Sequence, residues 1–385
     1  MKNSTKTYLD YNATTPVDER VLEAMIPFFT WSFGNASSKD HIFGWESADA
    51  VDVAREQVAD LIGATANEIY FTSGATEAIN LGLRGFCSAN KSEGNHIITC
   101  KTEHKAVLET CQSLEESGFD VTYLDVGQNG DVDLTELESS ISSETLLVCL
   151  MHANNETGVI NPVKEIAELC RSKGVPFFSD ATQSVGKLPV DVKEIGADMI
   201  AFSSHKLYGP KGAGGLYITG ENKPTINPLF TGGGQEKGLR PGTLNVPAIV
   251  GFGKACEICE NELVADAERH IDLRNYIEEK LIELFDVSIN GNSKDRLPQT
   301  TNVQFRNIDS THLLRRLRNL AVSRGSACSS ATSQPSHVLT AMGLSADEAM
   351  SSIRIGLGRF TTHKDVESAI REFEDVIPQL KPVAG

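Results

Sequence analysis

No apolar run in this sequence is long enough to cross a bilayer, and residues 1–20, MKNSTKTYLDYNATTPVDER, hold no apolar core of signal-peptide length. Both absences predict a soluble, cytoplasmic protein. Positive charge is scarce as well. Lys and Arg number 35 against 52 Asp and Glu, a formal charge of -17. That argues against nucleic-acid binding as the main activity, since a phosphate backbone needs clustered cations. A basic partner protein suits such a surface better. There is no disulfide framework: the eight cysteines are scattered through 385 residues, the pattern of reduced thiols. Internal repeats and low-complexity tracts are absent too.

What remains is an ordinary globular composition, 40% hydrophobic and 23% charged, with length enough for one large domain and a smaller one. Between residues 68 and 219 short apolar runs (EIYFTS, HIITC, DVTYLD, LLVCLM, PFFSD, MIAFSS, GGLYIT) alternate with helical patterns such as Thr76–Asn90, His104–Ser117 and Val163–Lys173. Alternating strands and helices predict an α/β fold whose mainly parallel sheet is covered by helices on both faces. Ligands of such sheets sit outside the carboxyl ends of the strands. The pattern changes near residue 253. A long amphipathic helix over Ala255–Leu284, a strand in TNVQFRN, a helix over Thr311–Leu320 and a strand in SSIRIGLG predict a smaller α+β domain. The expected division is 17–254 for the large domain and 1–16 with 255–385 for the small one.

The residues with chemical potential follow the predicted strands. In AFSSHKLYGPKG, Lys206 stands one turn past a buried strand beside Ser203, Ser204 and His205. An amine so placed can form a Schiff base while its neighbours hold a phosphate. In FFSDATQ, Asp180 ends an apolar strand, where a carboxylate is costly unless it meets a cation. A protonated pyridine nitrogen is such a cation, and that pairing recurs in pyridoxal-phosphate enzymes. In FTSGATEAINL, Gly74 lets backbone approach a ligand, and the amides near Ala75 and Thr76 face an anion at the start of a helix. His104 follows HIITC, where its ring can stack on a planar cofactor. Cys256 and Cys259 form a CxxC inside a predicted helix with no second ligand pair, so they do not predict a zinc site.

DYNATTPVD, FGNASS, FTSGATEAINL, KTEHKAVL, HANNETG, DATQSVGKLP, SSHKLYGPKG, GGGQEKGLRPGT, SRGSACSS and SSIRIGLGRFTT occur in that order across nearly the whole chain. Together they resemble the group I (NifS/IscS-type) cysteine desulfurases, within the class V aminotransferase superfamily of fold-type I pyridoxal-phosphate enzymes. The resemblance implies pyridoxal 5'-phosphate bound to Lys206, with Asp180 on the pyridine nitrogen and His104 as stacking and acid/base residue. Gln183 and Asn155 would address the ring oxygen, Asn155 serving the substrate too. Ala75, Thr76, Ser203 and His205 would hold the phosphate, joined by Thr243 from the second subunit of a homodimer. Arg354 would pair bidentately with the substrate carboxylate.

Cys328, in SRGSACSSATSQPSH, is the residue that separates this family from ordinary aminotransferases. The resemblance implies that its thiolate takes sulfur from L-cysteine, leaving L-alanine and a Cys328 persulfide for an acceptor protein. That acceptor would serve iron–sulfur cluster assembly, with DNA phosphorothioation, tRNA thiolation or selenocysteine lyase activity as alternatives. A transaminase has no use for Cys328, and a non-catalytic scaffold none for Lys206 or Asp180. No resident metal is expected, Cys328 touching a cluster only transiently. Two departures from the family pattern stand out: Arg324 replaces the usual Ser before GSAC, and the sequence stops with DVIPQLKPVAG, where scaffold-docking relatives continue.

Overall fold

The computed structural model describes residues 6–221, 223–325 and 334–380. Cys328 lies outside the described residues. The large sheet has seven strands in the order Ile69–Thr72, Gly214–Ile218, Met199–Ser203, Phe177–Asp180, Thr145–Cys149, His96–Cys100 and Asp120–Leu124. All pairings are parallel except those of Gly214–Ile218, which runs against both neighbours. The period-two geometry of a strand explains how one sheet serves two cores. Ile98, Val148, Phe177 and Ile200 face one apolar cluster. Their neighbours Ile97, Leu147, Phe178 and Met199 face the other. The inner strands are buried on both faces, as a sheet covered by helices on both sides requires.

Helix Val163–Lys173 has the expected bounds and stops at Gly174, whose φ of 71° is the left-handed C-cap that glycine adopts without strain. The long helix is longer than expected. It runs from Val246, not Ala255, to Leu284, and its start is capped by the Asn245 side chain accepting from the Ala248 amide. Its first turns, VPAIVGFGKACEIC, are buried nearly all round and so carry no amphipathic stripe. Here the helix presses on its neighbours. A Cβ on Gly251 would stand 2.6 Å from Met25 Sδ, and one on Gly253 would stand 2.5 Å from Ala54 Cα in helix Ile42–Leu61.

The same helix ties the two parts of the molecule together. Val246 through Cys259 pack under the large sheet. Leu273, Ile277 and Leu281 pack in a third cluster with Val303, Ile353 and Phe373. That cluster backs a small antiparallel sheet in the order Ser352–Gly356, Thr300–Phe305, Val287–Ile289. Strand Thr7–Tyr8 pairs with Leu320–Ala321, and Asp10 bridges to Gly356, so the first residues run along this smaller part. The expected helix over Thr311–Leu320 is shorter, Ser310–Arg316, because the chain leaves helical geometry at Leu317 to enter that strand.

Candidate active site

Five strands of the large sheet end at one cavity of about 440 Å³. Ile69–Thr72 leads through Ser73 into the turn at Gly74, where φ is 152°, and then into helix Ala75–Ala89. No side chain caps that helix start, so the amides of its first turn remain donors for a ligand. Glu77, in the same turn, accepts from the Ser73 amide at 2.7 Å and pairs with Arg240 at 2.7 Å. Burial alone would raise its pKa, but these bonds hold it below the ordinary value. Arg240 thereby offsets a carboxylate that would otherwise oppose an anion at this helix start.

Strand Met199–Ser203 passes into a short turn, Ser204–Lys206, that delivers Lys206 to the cavity. Its Nζ donates to the carbonyls of Asn12 at 2.5 Å and Ala13 at 2.8 Å. Strand Phe177–Asp180 ends with Asp180 in the wall, buried, accepting from the Thr182 amide at 2.9 Å. His104 caps helix Lys105–Glu115 through Nδ1, which accepts from the Ala106 amide at 3.1 Å. The expected helix start at His104 is thus its N-cap. An accepting Nδ1 fixes the tautomer and leaves the proton on Nε2. Burial lowers the pKa of His104, the Asp180 charge opposing and the Lys206 charge assisting, so the ring is neutral near pH 7. His205 is lowered further, to about 4, by burial and then by Lys206, Lys211 and Lys187.

The opposite wall comes from the small sheet and from segments far away in sequence. Arg354, with 1% of its surface exposed, donates to Asp10 at 2.7 Å and to the Asn155 carbonyl at 2.9 Å. Its Nε is buried and has no partner among the described residues. Glu156, beside Asn155, marks the place where the chain enters and leaves the stretch containing Cys328. Ser336 Oγ donates to Glu156 Oε2 at 2.5 Å, and a Cβ on Gly325 would lie 2.6 Å from the same oxygen. Ser323, before Gly325, donates to Asp10 Oδ1 at 3.0 Å, and His337, after Ser336, contacts the Glu103 carbonyl at 3.0 Å. Arg324 does not simply face solvent: it is half-buried and donates to Thr311.

Ten residues expected from sequence line the one cavity: Ala75, Thr76, His104, Asn155, Asp180, Gln183, Ser203, His205, Lys206 and Arg354. Thr243 does not; it is exposed. Asn12, Thr182 and Lys211 also line it, with Asp10 and Glu156 behind them. Asp10, Asn12 and Glu156 sit inside the DYNATTP and HANNETG motifs, which was the available signal. The cavity suits a phosphorylated aromatic aldehyde, with bare helix amides and hydroxyls at one end, a carboxylate at a strand end, and an amine within. Thr182 Oγ1, buried in this wall with no partner among the described residues, is a further polar atom ready for a ligand. Among the described residues, no group of three or more His, Cys, Asp or Glu stands together to hold a metal ion.

A protein-family model described as aminotransferase class-V matches residues 7–368, and the chain belongs to that family. Within it, the chain resembles cysteine desulfurases. It is 49% identical over 378 residues to a protein named cysteine desulfurase IscS from Anaeromyxobacter sp. (strain Fw109-5), covering 98% of this chain and 94% of the relative. A solved structure titled NifS-like protein superposes with a TM-score of 0.92 at 39% identity, covering 97% of this chain and all of the other. A second, titled SspA in complex with cysteine, gives 0.84 at 40% identity over 92% of this chain and all of the other.

Proposed function

We propose that this protein is a pyridoxal-phosphate-dependent cysteine desulfurase that moves sulfur from L-cysteine to Cys328. The observation that carries this reading is the convergence of Lys206, Asp180, His104 and the open start of helix Ala75–Ala89 on one cavity, with Arg354 opposite. Lys206, Asp180 and His104 would hold the cofactor's aldehyde carbon, ring nitrogen and ring face. Gln183 and Asn155 would serve its ring oxygen, and Ala75, Thr76, Ser203 and His205 its phosphate. When bound, the cofactor supplies an electron sink at the substrate Cα.

The chain's own groups do the rest. Arg354 binds the substrate carboxylate, Lys206 Nζ takes the Cα proton, and His104 Nε2, the nitrogen that carries hydrogen, exchanges protons with the substrate thiol. The Cys328 thiolate attacks the substrate sulfur. An S–S bond forms, the C–S bond breaks with its electron pair passing to carbon, and protonation of that carbon gives L-alanine. Both stems of the Cys328 stretch rest against Glu156 at the cavity wall, which suits this delivery.

We further infer a homodimer. Phe29, Trp31, Phe33, Phe43 and Trp45 are each 45–64% or 65% exposed, and both tryptophans of the chain are among them. So large an exposed aromatic surface fits a second copy better than water, and Thr243 would enter the partner's site. Light scattering should give twice the chain mass. A cytoplasmic location and an acceptor serving iron–sulfur assembly complete the reading, as does the division into 17–254 and 1–16 with 255–385. That boundary falls inside the continuous helix Val246–Leu284.

One experiment tests the core of it. Borohydride reduction of the yellow protein, followed by peptide mapping, should find the cofactor on Lys206. Cys328→Ser should keep the colour and lose sulfide release from L-cysteine with reductant. Label on another lysine, or sulfide at the wild-type rate from Cys328→Ser, would overturn the assignment.

A further inference from the structure

Behind the cavity lies a second, much smaller void of about 20 Å³, walled in part by Tyr11, Thr15, Lys187, Tyr208, His270 and Gln299. Its walls carry polar atoms without partners. Both amide atoms of Gln299, a residue 2% exposed, and Nε2 of His270 are buried and find no partner among the described residues. A void of this size takes one water, and a buried water needs such polar neighbours.

Lys187 joins this void to the active site. Its amine donates to Gln183 Oε1 at 2.8 Å. Gln183 Nε2 donates in turn to the Asn12 carbonyl at 3.1 Å, the same carbonyl that receives Lys206 Nζ. The end-for-end orientation of an amide is decided by its neighbours. A lysine amine on one side selects the oxygen, and a carbonyl on the other selects the NH2. Without Lys187, Asn12 is the one hydrogen-bond partner left to the Gln183 side chain among the described residues. The residue keeps some exposed surface, while its amine is removed from water. Burial, then the charges of Lys206 and Arg354, push its pKa well below the ordinary lysine value, with Cys259 opposing. Charged or neutral, the amine donates to Gln183 Oε1.

We propose that Lys187 is a positioning residue that holds the Gln183 amide in one orientation toward the cofactor side of the cavity. The void behind it binds a single water shared by Lys187, Gln299 and His270. This rests on the reading of Lys206 as the cofactor lysine, and it adds a residue that touches neither cofactor nor substrate.

The test is a pH titration of the cofactor's visible absorbance in the holoenzyme, for wild type, Lys187→Met and Lys187→Arg, with thermal melting followed alongside. Methionine has nearly the length of lysine and no donor; arginine keeps one. A fixed Gln183 NH2 stabilises negative charge on the ring oxygen and so weakens that oxygen's hold on the neighbouring proton. Its release in Lys187→Met should raise the absorbance midpoint by about half a pH unit or more, and Lys187→Arg should bring the midpoint back toward wild type. An unchanged midpoint in a folded Lys187→Met protein, or equal displacement in both variants, would overturn the proposal. Lys187→Leu serves the same comparison should the methionine variant not fold. Failure of the wild type to bind cofactor at Lys206 would instead overturn the function proposed above.

Discussion

The two walls of the active cavity are built in different ways. On the large-sheet side, Asp180, Ser203 and Lys206 are placed by the strand that each one ends or follows. His104 and the bare amides of Ala75–Ala89 are placed by the turns that open their helices. Their backbone placement is local, although Lys206 Nζ is also held by the carbonyls of Asn12 and Ala13, 194 and 193 residues away. On the small-sheet side, Arg354 is aimed by Asp10 and by the Asn155 carbonyl, partners 344 and 199 residues away. Glu156 meets Ser336 across 180 residues. The first wall is local and the second is a convergence of remote segments. A substitution in the first should therefore act mainly on chemistry, and one in the second on chemistry and folding together.

Arg354→Ala offers the largest expected break of that second wall. It removes a substrate-binding guanidinium and takes one donor each from Asp10, which keeps Ser323, and from the Asn155 carbonyl, which keeps Asn12. Breaking a buried ion pair costs several kcal/mol; here about 3 kcal/mol is expected, the lower end of the range, because 19% of the Asp10 side chain remains exposed. The apparent affinity for L-cysteine, followed by the cofactor's absorbance, should fall roughly tenfold or more with loss of a charge-assisted pair. Arg354→Lys should recover part of the stability and less of the affinity, since an ammonium lacks the planar fork. A purely structural arginine would lower the melting temperature with cysteine binding unchanged. A purely substrate-binding one would do the reverse.

Gly325→Ala should have a smaller, more selective effect. The added Cβ would sit 2.6 Å from Glu156 Oε2, and Glu156 is 1% exposed and bonded to Ser336. The carboxylate has to give way at the expense of that bond, a loss of about 1.5–3 kcal/mol for a hydrogen bond to a charged group. Because Glu156 positions the stems and Arg354 the substrate, sulfide production should fall several-fold, about the factor of ten that 1.4 kcal/mol represents, with cysteine affinity unchanged. Weaker cysteine binding would show that the stems and the substrate site are one unit.

The difference between the walls also explains what was legible in the sequence. Strand ends and helix starts leave local marks, so SHK, FFSD and SGATE could be read residue by residue. The role of Arg354 came only from family resemblance, and Asp10 and Glu156 were not singled out at all, since no local pattern reveals a partner hundreds of residues away; Lys187 was not singled out either, although its partner Gln183 is only four residues earlier. The extra turns of helix Val246–Leu284 were hidden for another reason: a segment buried nearly all round has no polar face to set its period. Helix Ile42–Leu61 buries Val51, Ala54 and Val58 at helical spacing, a stripe that went unread in the sequence.

The smallest effect separates the walls by pH. Three histidines behind or within the sheet side, His152, His205 and His270, have pKa values lowered to about 4, first of all by burial. In the unfolded chain each returns to about 6.5. Between those values the unfolded state binds more protons, so stability is full above pH 6.5 and is lost as pH falls toward 4. Glu103 acts in the opposite sense. Fully buried behind this wall, with Oε1 accepting from the Met151 amide, it is raised well above the ordinary carboxyl value by burial. Its contribution is full below about 4.5 and declines as pH rises. It therefore masks part of the histidine slope. Urea unfolding of the wild type at pH 7, 6 and 5 should show a net loss on acidification. Glu103→Gln keeps an acceptor for Met151 and removes the opposing proton, so its loss over the same interval should be steeper. Arg354→Lys, on the other wall, should lower all three values by a similar amount without changing the slope. A Glu103→Gln slope equal to wild type would mean that Glu103 is ionised in the folded protein and that the buried histidines alone govern the acid response.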